Sequence, residues 1–243
     1  KENNDIESYN VQFLIKTTAT EDQEKNMVDK FQLGESYEEI ITKMVSMIPP
    51  LKTNKLTKLV GAGMYGIAFK LDNDHILKLF QEDHSGGDDL TKFKIIQNRQ
   101  FSGEASATEP AIYALGQFEV DADSGQSFDF CYVEMGRVIP FEDWMKANEA
   151  GQYDKALDVI GAYMAGSPSG ADYGEFLAWL KNQSPKIQHH LQEIPRKAIK
   201  PLFKSLIKYM EAGNDITDFH GGNFGVILNR NPNGEPTFVF FDV

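Results

Sequence analysis

Residues 61–80 read GAGMYGIAFKLDNDHILKLF, and this stretch decides the fold class. Gly61, Gly63 and Gly66 form a G-x-G-x-x-G pattern, which by itself indicates only a turn. The residues after it alternate between apolar and polar types, as in a half-buried strand, and a turn at residues 72–74 joins two such strands. A dinucleotide-binding fold requires a helix directly after the glycines, so the alternation argues against that fold. The sequence instead predicts a glycine-rich β-hairpin whose backbone can approach phosphate oxygens.

Lys78 is the first candidate for a functional side chain. It lies 17 residues after Gly61, inside the strand predicted over residues 75–80. Leu77 and Leu79 point to the other face of the sheet, so Lys78 faces away from them and can reach the α- and β-phosphates of a nucleotide. The alternative is a solvated strand lysine. Lys70 competes for the role but is too near the glycine loop to lie on the next strand.

A carboxylate after this strand would orient Lys78. The sequence predicts a helix over residues 88–99, and Glu104 and Glu109 follow it. Pro110 comes directly after Glu109 and leaves it no helical turn to occupy, so Glu104 is preferred. Either residue can instead be a surface acid in a chain with 36 acidic residues.

Residues 215–226, DITDFHGGNFGV, carry the strongest chemical signal. Asp218 and Asn223 are five residues apart, and Asp242 follows 19 residues later at the end of a predicted hairpin. A carboxylate is needed to accept the proton of an attacking hydroxyl. An amide oxygen and a second carboxylate suit Mg²⁺, which prefers oxygen ligands. Asp215 lies outside this spacing and is interpreted as an acid at a helix end or turn.

The pattern along the rest of the chain predicts a β-rich first half and a helical second half that ends in one hairpin. The junction is predicted near residues 134–137. Strands are predicted over residues 11–15, 56–60, 66–71, 75–80, 112–120, 128–135, 224–228 and 237–242. Helices are predicted from Ser36 to the Pro49-Pro50 stop and over residues 88–99, 141–150, 154–165, 172–181 and 195–212.

Together and in this order, the motifs resemble those of the protein-kinase-like phosphotransferase superfamily, which holds protein kinases and the aminoglycoside, choline and fructosamine kinases. The resemblance spans residues 61–242. It implies an α+β, bilobal protein-kinase-like fold. The N-lobe would be an antiparallel sheet with a helix, and the C-lobe would be mostly helical with a β-hairpin at the active site. The corresponding domains are an N-terminal extension over residues 1–50, an N-lobe over 51–136 and a C-lobe over 137–243.

The resemblance also implies how the nucleotide would bind. The three loop glycines would cover the phosphates of ATP. Lys78 would contact the α- and β-phosphates and pair with Glu104, taken as a helical residue. Glu134 and Gly136, in the segment YVEMG, would offer backbone groups to adenine.

For the catalytic step, the resemblance implies that Asp218 is the base and that Asn223 and Asp242 bind Mg²⁺. His220 is either a loop-ordering residue or an ordinary polar loop residue. The residues before Asp218 are Ile-Thr rather than His-Arg, and only Val243 follows Asp242. We therefore expect no activation segment and no regulation through one.

Composition limits the partners and the compartment. With 24 Lys and Arg against 36 Asp and Glu, the chain carries a net charge of −12. It lacks the basic footprint of a nucleic-acid binder, and an anionic membrane would repel it, although a local basic groove remains compatible with this sum. The single cysteine, Cys131, excludes an internal disulfide framework and suits a reducing compartment, so we expect a cytoplasmic protein. No apolar run is long enough to span a membrane, and the polar N-terminus does not resemble a signal peptide.

These features predict an ATP- and Mg²⁺-dependent phosphotransferase that acts on a hydroxyl group. A Ser or Thr of a protein substrate is favoured over a small molecule, because no helices follow Asp242 to enclose a small ligand. The alternative is a catalytically inactive pseudokinase or a partner-binding module with the same fold. Lys78, Asp218 and Asp242 are all present, which favours the enzyme.

Overall fold

The computed structural model has a mixed α/β architecture. It describes residues 43, 47–63, 66–81, 90–121, 125, 127–148, 153–166, 172–212, 219, 221, 224–227 and 236–240. The strand predicted over residues 11–15 lies outside these ranges, and only residues 43 and 47 represent the body of the helix predicted from Ser36. The proposed N-terminal extension therefore stays a prediction, as do the domain limits built on it.

The chain divides into two compact units. The first unit runs up to Gln100 and resumes over Ala111–Arg137. The second unit comprises Phe101–Pro110 and Val138–Val243. The segment Phe101–Pro110 therefore belongs with the second half of the chain, which the sequence pattern does not indicate.

A five-stranded antiparallel sheet forms the first unit, with the strand order β1-β2-β3-β5-β4. Its strands are β1 (Leu56–Gly63), β2 (Gly66–Leu71), β3 (Ile76–Gln81), β4 (Ile112–Asp121) and β5 (Ser127–Met135). All five were predicted, because each is a short run rich in apolar residues that is bounded by turn residues, and β2 and β3 alternate most clearly.

One face of this sheet is covered by helix α1 (Leu90–Ser102). Leu90, Phe93 and Ile96 project from α1 at helical spacing and are buried. They pack against apolar residues of the sheet, among them Phe80 and Val133. The helix extends three residues beyond its predicted end and stops at Gly103, whose φ of 79° suits a helix terminus.

The opposite face of the sheet has its own apolar core. Leu77 and Leu79 of β3 are fully buried there, beside Phe69 and Phe130 of the neighbouring strands. A short 3₁₀ turn at Pro49–Lys52 adds the buried Leu51 to this cluster. Both faces of the sheet are therefore packed, and the alternation along β3 decides which side chains go to which face.

The second unit is mostly helical. Its helices are α2 (Phe141–Ala147), α3 (Asp154–Gly166), α4 (Tyr173–Lys181), α5 (Pro185–His190) and α6 (Arg196–Glu211). Its strands are β6 (Ile139–Pro140), β7 (Phe224–Ile227) and β8 (Thr237–Phe240), which pair in that order. The predicted hairpin near the end of the chain is confirmed as β7 and β8, which are antiparallel.

Aromatic residues dominate the core of the second unit. Phe176 of α4 and Phe203 of α6 are fully buried with their ring centroids 4.7 Å apart, and Tyr163 of α3 packs against both. The apolar face of α6 also places Leu202 and Leu206 in this core. The helices predicted over residues 141–150, 154–165, 172–181 and 195–212 are thus present, with slightly different ends, whereas α5 was not predicted.

Candidate functional site

The glycine-rich loop joins β1 to β2. The two strands are antiparallel, and Gly63 pairs with Gly66 at the end of the ladder. The prediction that a strand follows these glycines is confirmed, so the helix that a dinucleotide-binding loop requires is not there. Residues 64 and 65 lie outside the described residues.

Gly66 is a glycine for reasons of packing. Its φ is 147°, a conformation that other residues rarely adopt. A Cβ at this position would collide with the carbonyl oxygen of Leu79 and would lie 3.0 Å from Cβ of Phe80. The close approach of β3 therefore requires glycine here whether or not a ligand binds.

Gly61 differs from Gly66 in this respect. Among the residues that the structure describes, no heavy atom lies within 4 Å of the position that its Cβ would occupy, and its φ is not in the left-handed region. Neither packing nor backbone strain requires a glycine at this position. The missing side chain leaves open space above β1.

Lys78 lies on the same face of the sheet as this open space. Across the ladder, Gly61 pairs with Ala68, and Ala68 pairs with Lys78. Side chains of directly paired residues share one face of a sheet. Adjacent strands are about 4.8 Å apart, so the backbone of Lys78, two strands away, is about 10 Å from that of Gly61. The predicted orientation of Lys78 is confirmed, because Leu77 and Leu79 are buried on the opposite face while Lys78 is partly exposed.

Aromatic rings surround the end of the Lys78 side chain. Its Nζ lies 5.8 Å from the ring centroids of both Phe80 and Phe93, within the range of a cation–π interaction. The competing Lys70 instead forms a salt bridge with Asp74, with 2.7 Å between Nζ and Oδ1. This contact ties Lys70 to the turn between β2 and β3 and leaves Lys78 as the better candidate.

The predicted helical position of Glu104 is wrong. Glu104 lies two residues beyond the end of α1 and is exposed, and its Oε2 accepts a hydrogen bond from Oγ of Ser102 at 3.2 Å. Helix α1 itself packs on the sheet with Phe93 among its buried residues. Within Leu90–Ser102 it contains no Asp or Glu. The pairing of Glu104 with Lys78 stays a prediction.

Glu109, the alternative to Glu104, is almost completely buried. It is 1% exposed, and its Oε2 accepts a hydrogen bond from the backbone N–H of Ser106 at 3.4 Å. The preceding Thr108 is equally buried, and its carbonyl oxygen accepts a hydrogen bond from the N–H of Phe240 at 3.0 Å. This bond fixes the segment after α1 to the end of β8, two residues before Asp242. The sequence gives no signal for such a long-range contact.

The side chain of Glu134, in the predicted adenine-binding segment, has a structural role. Its Oε1 lies 2.6 Å from Nδ1 of His75 and accepts a second hydrogen bond from Nδ2 of Asn73 at 3.1 Å. The ring of His75 stacks on Tyr113 with 3.9 Å between centroids. This network ties the turn before β3 to the end of β5, and it leaves only the backbone of Glu134 for the predicted contact with adenine.

Gly136, the other predicted adenine contact, already uses its backbone donor. Its N–H donates a hydrogen bond to the carbonyl oxygen of Ala111 at 2.8 Å. Adenine recognition by this residue therefore requires its carbonyl group or an exchange of this bond, and it stays a prediction.

The predicted catalytic base Asp218 and the predicted Mg²⁺ ligands Asn223 and Asp242 lie outside the described residues, as do His220 and Asp215. The β7–β8 ladder ends with the pair Phe224 and Phe240. Asn223 directly precedes this end and Asp242 follows it by two residues, so both candidate ligands are attached to the same end of the hairpin.

Two described residues that lie between Asp218 and Asn223 in the sequence pack against the core of the second unit. Phe219 stacks on Phe224 with 5.3 Å between ring centroids and an interplanar angle of 11°. Gly221 is buried, and a Cβ there would come within 3.0 Å of Tyr153 and 3.4 Å of Phe141. A larger residue at this point of the loop would therefore require the rings of Tyr153 and Phe141 to move by a few tenths of an ångström.

Tyr153 remains protonated at neutral pH. Burial raises the pKa of its hydroxyl group well above the ordinary value, and the negative charges of Glu142 and Asp154 raise it further. A hydrogen bond with Glu142 acts in the same direction. Beside Gly221, Tyr153 can thus donate a hydrogen bond but cannot serve as a base.

Neither a scan against protein-family models nor a search of curated proteins finds a match to this chain. Among the described residues, no group of three or more His, Cys, Asp and Glu side chains can hold a metal ion. That set does not include the candidate ligands Asn223 and Asp242. In the same part of the chain, no helix has the length and apolar character that crossing a membrane requires.

Proposed function

We propose that this protein is an ATP- and Mg²⁺-dependent phosphotransferase that moves the γ-phosphate to a hydroxyl group. The observation that carries this proposal is the row formed by Gly61, Ala68 and Lys78 on one face of the first sheet. It combines a lysine with two residues that have almost no side chain, and one of these is a glycine that no contact with the described residues requires.

This row suits the phosphates of a nucleotide. A backbone without side chains allows phosphate oxygens to approach its N–H groups, and a lysine ammonium supplies a compact positive charge. A net charge of −12 repels a triphosphate, so binding needs local cations. Lys78 and a bound Mg²⁺ are the cations that we assign to this task.

We assign proton transfer to Asp218 and Mg²⁺ binding to Asn223 and Asp242. The support is their spacing and the attachment of both ligands to one end of the β7–β8 hairpin. Mg²⁺ would neutralise charge on the phosphates, while Asp218 would orient the attacking hydroxyl. Glu104 remains the proposed partner of Lys78, with Glu109 as the alternative.

The remaining expectations belong to the same proposal. They are a bilobal kinase-like arrangement, a Ser or Thr of a protein as the acceptor, and a cytoplasmic location. Cys131 is buried in the first unit and forms no disulfide, which agrees with a reducing compartment.

One observation favours a second candidate, an inactive pseudokinase or partner-binding module. Helix α1 packs beside Lys78 through Phe93, and Glu104, the residue predicted to pair with this lysine from the helix, lies beyond the helix end. Phosphoryl transfer by such a fold depends on a lysine held in place by a carboxylate, whereas the shape of the fold and its ability to bind partners do not.

Titration calorimetry with Mg²⁺-ATP tests nucleotide binding. We expect binding to the wild type and a loss on the order of tenfold to a hundredfold in Lys78→Met, because a charged hydrogen bond to phosphate is removed. Lys70→Met is the matched control, since it removes a lysine from the same sheet that already pairs with Asp74. Wild-type protein that is folded but gives no binding heat would overturn the nucleotide assignment.

A transfer assay with radiolabelled γ-phosphate then separates the two candidates. Applied to a cell lysate and a panel of metabolites, it should label an acceptor with the wild type and lose at least two decades of rate in Asp218→Asn, because general-base catalysis contributes about 10²–10⁴-fold. Binding of Mg²⁺-ATP without transfer to any acceptor would favour the pseudokinase.

A further inference from the structure

The outward face of α6 carries a row of positive side chains, which we call the α6 basic stripe. Its members are Arg196, Lys197, Lys200, Lys204 and Lys208, and all five are exposed. The helix contains a single acid, Glu211, which is its last residue. At 1.5 Å per residue, the stripe is about 16 Å long from Lys197 to Lys208.

The helix is anchored by its other face. Leu202, Phe203 and Leu206 are fully buried in the core of the second unit, so the stripe must point to solvent. Among the described residues, none of the salt bridges involves a member of the stripe.

The stability of α6 does not account for this arrangement of charges. Lys200, Lys204 and Lys208 are four residues apart, a spacing at which like charges repel. Arg196 and Lys197 stand in the first turn, where the helix dipole disfavours cations, and that turn contains no acid. Helix α2 shows the favourable pattern, with acids in its first turn and a lysine in its last turn.

The stripe also opposes the charge of the whole chain. Acidic residues outnumber basic ones by 36 to 24, yet α6 carries five cations and one acid. Such a local concentration of positive charge attracts a negatively charged partner that comes within a Debye length, which is about 8 Å at physiological ionic strength.

We propose that the α6 basic stripe is a docking surface for an acidic helix of a partner protein, with carboxylates at every third or fourth residue. Two helices side by side repeat their side chains at the same interval, so such carboxylates match the lysines one to one along the stripe. A short helix also presents few charges beyond the stripe, so the acidic remainder of the chain repels it least.

The other polyanions fit the stripe less well. A nucleic-acid duplex continues past a 16 Å surface and brings further phosphates toward a protein whose net charge is −12. Single strands are bound with aromatic side chains, and the stripe contains none. A helix that lies in a membrane surface needs its apolar face for lipid, whereas the apolar face of α6 is buried.

Fluorescence anisotropy tests the proposal with a labelled, alanine-rich helical peptide that has Glu at every fourth position. We expect salt-sensitive binding to the wild type. The triple variant Lys200→Gln, Lys204→Gln and Lys208→Gln should bind about threefold to a hundredfold more weakly, because it loses three exposed ion pairs. Circular dichroism confirms that the variant is folded.

A matched control variant removes the same number of charges elsewhere. It replaces three exposed lysines outside α6, namely Lys52, Lys55 and Lys181, by Gln. Wild-type affinity in this variant supports the proposal, whereas an equal loss shows an unspecific effect of net charge and overturns it.

Three further outcomes would overturn the proposal. The first is the absence of binding. The second is equal binding of a peptide of the same composition with its glutamates in one block, which would contradict the match of spacing. The third is tighter, stripe-dependent binding of duplex DNA or of phosphatidylserine vesicles, which would assign the stripe to a different class of partner.

Discussion

Gly61 and Gly66 belong to the same motif, but the structure predicts opposite effects when each is replaced by alanine. At Gly66, a Cβ collides with the carbonyl oxygen of Leu79, and φ is 147°. Backbone strain at such a position costs about 1–3 kcal/mol. Overpacking against β3 costs about 1–3 kcal/mol more. Gly66→Ala should therefore lower the free energy of unfolding by roughly 2–6 kcal/mol, out of a typical total of about 5–15 kcal/mol.

Gly61→Ala should leave the free energy of unfolding unchanged or raise it. Its Cβ meets no atom of the described part of the chain within 4 Å. Alanine also reduces the entropy of the unfolded chain, which is worth about 0.4–1 kcal/mol. A larger side chain at this position should weaken nucleotide binding even though the protein stays stable. Gly61→Val places a branched side chain on the face that holds Lys78, so we expect weaker binding of Mg²⁺-ATP in a stable protein.

Urea unfolding followed by far-UV circular dichroism measures both effects. Tryptophan fluorescence is unsuitable, because Trp144 and Trp179 both lie in the second unit. Hydrogen exchange at β2 and β3 locates the change. A Gly66→Ala variant as stable as the wild type would refute the steric argument. A Gly61→Ala variant that is destabilised as strongly as Gly66→Ala would show that the space above Gly61 is not open.

The remaining predictions concern single contacts. The pKa of Tyr153 is raised in the folded protein above its unfolded value of about 10, so its contribution to stability is complete below pH 10 and is lost as the pH rises toward the folded pKa. Between pH 9 and 11, the unfolding free energy of Tyr153→Phe should therefore fall less steeply than that of the wild type, and parallel curves would contradict this. Pro201 lies inside α6 and cannot donate the helical hydrogen bond, so Pro201→Ala should raise the free energy of unfolding by roughly 1–3 kcal/mol in thermal denaturation, and an unchanged melting temperature would count against it. A double-mutant cycle with His75→Ala and Glu134→Gln should give a coupling energy of about 0.5–3 kcal/mol, whereas additive effects would show that their 2.6 Å contact contributes nothing.

Periodicity made much of the fold predictable. The alternation along β3 gave both the strand and the orientation of Lys78, because neighbouring side chains of a strand point to opposite faces. The apolar residues of α6, among them Leu202 and Leu206, recur at helical spacing and are buried as expected. Where one face of an element is apolar, the sequence therefore contains the needed signal.

The sequence pattern does not predict a helix without an apolar face or the exact end of a helix. Helix α5 has no buried residue and depends on Ser184, whose side chain accepts a hydrogen bond from the N–H of Ile187, and on Pro185 in the first turn. These two residues are a capping signal in the sequence, but no apolar residues at helical spacing accompany it. The pattern predicts the end of α1 three residues too early, although Gly103 marks this end. Glu104 lies beyond the end, and its predicted helical position is wrong for the related reason that periodicity does not locate a helix boundary.

The candidate site was only partly predictable. A motif treats Gly61 and Gly66 as equivalent, whereas the approach of β3 to one of them depends on the tertiary structure. The burial of Glu109 depends on the bond between Thr108 and Phe240, which joins residues far apart in the chain. The prediction from Pro110 that Glu109 is not helical is confirmed. The local backbone structure does not, however, determine whether the side chain of Glu109 is buried.

The segment Phe101–Pro110 makes the second unit discontinuous, and this affects how the protein is synthesised and how it can be cut. Thr108 leaves the ribosome about 130 residues before Phe240. At about 5–20 residues per second, the hydrogen bond between its carbonyl group and the N–H of Phe240 can therefore form only roughly 7–26 s later. A fragment that begins at Val138 lacks this carbonyl group and leaves the N–H of the fully buried Phe240 without its acceptor. Expression of the second unit alone therefore requires a fragment that begins before Phe101, or a permuted chain that restores this segment.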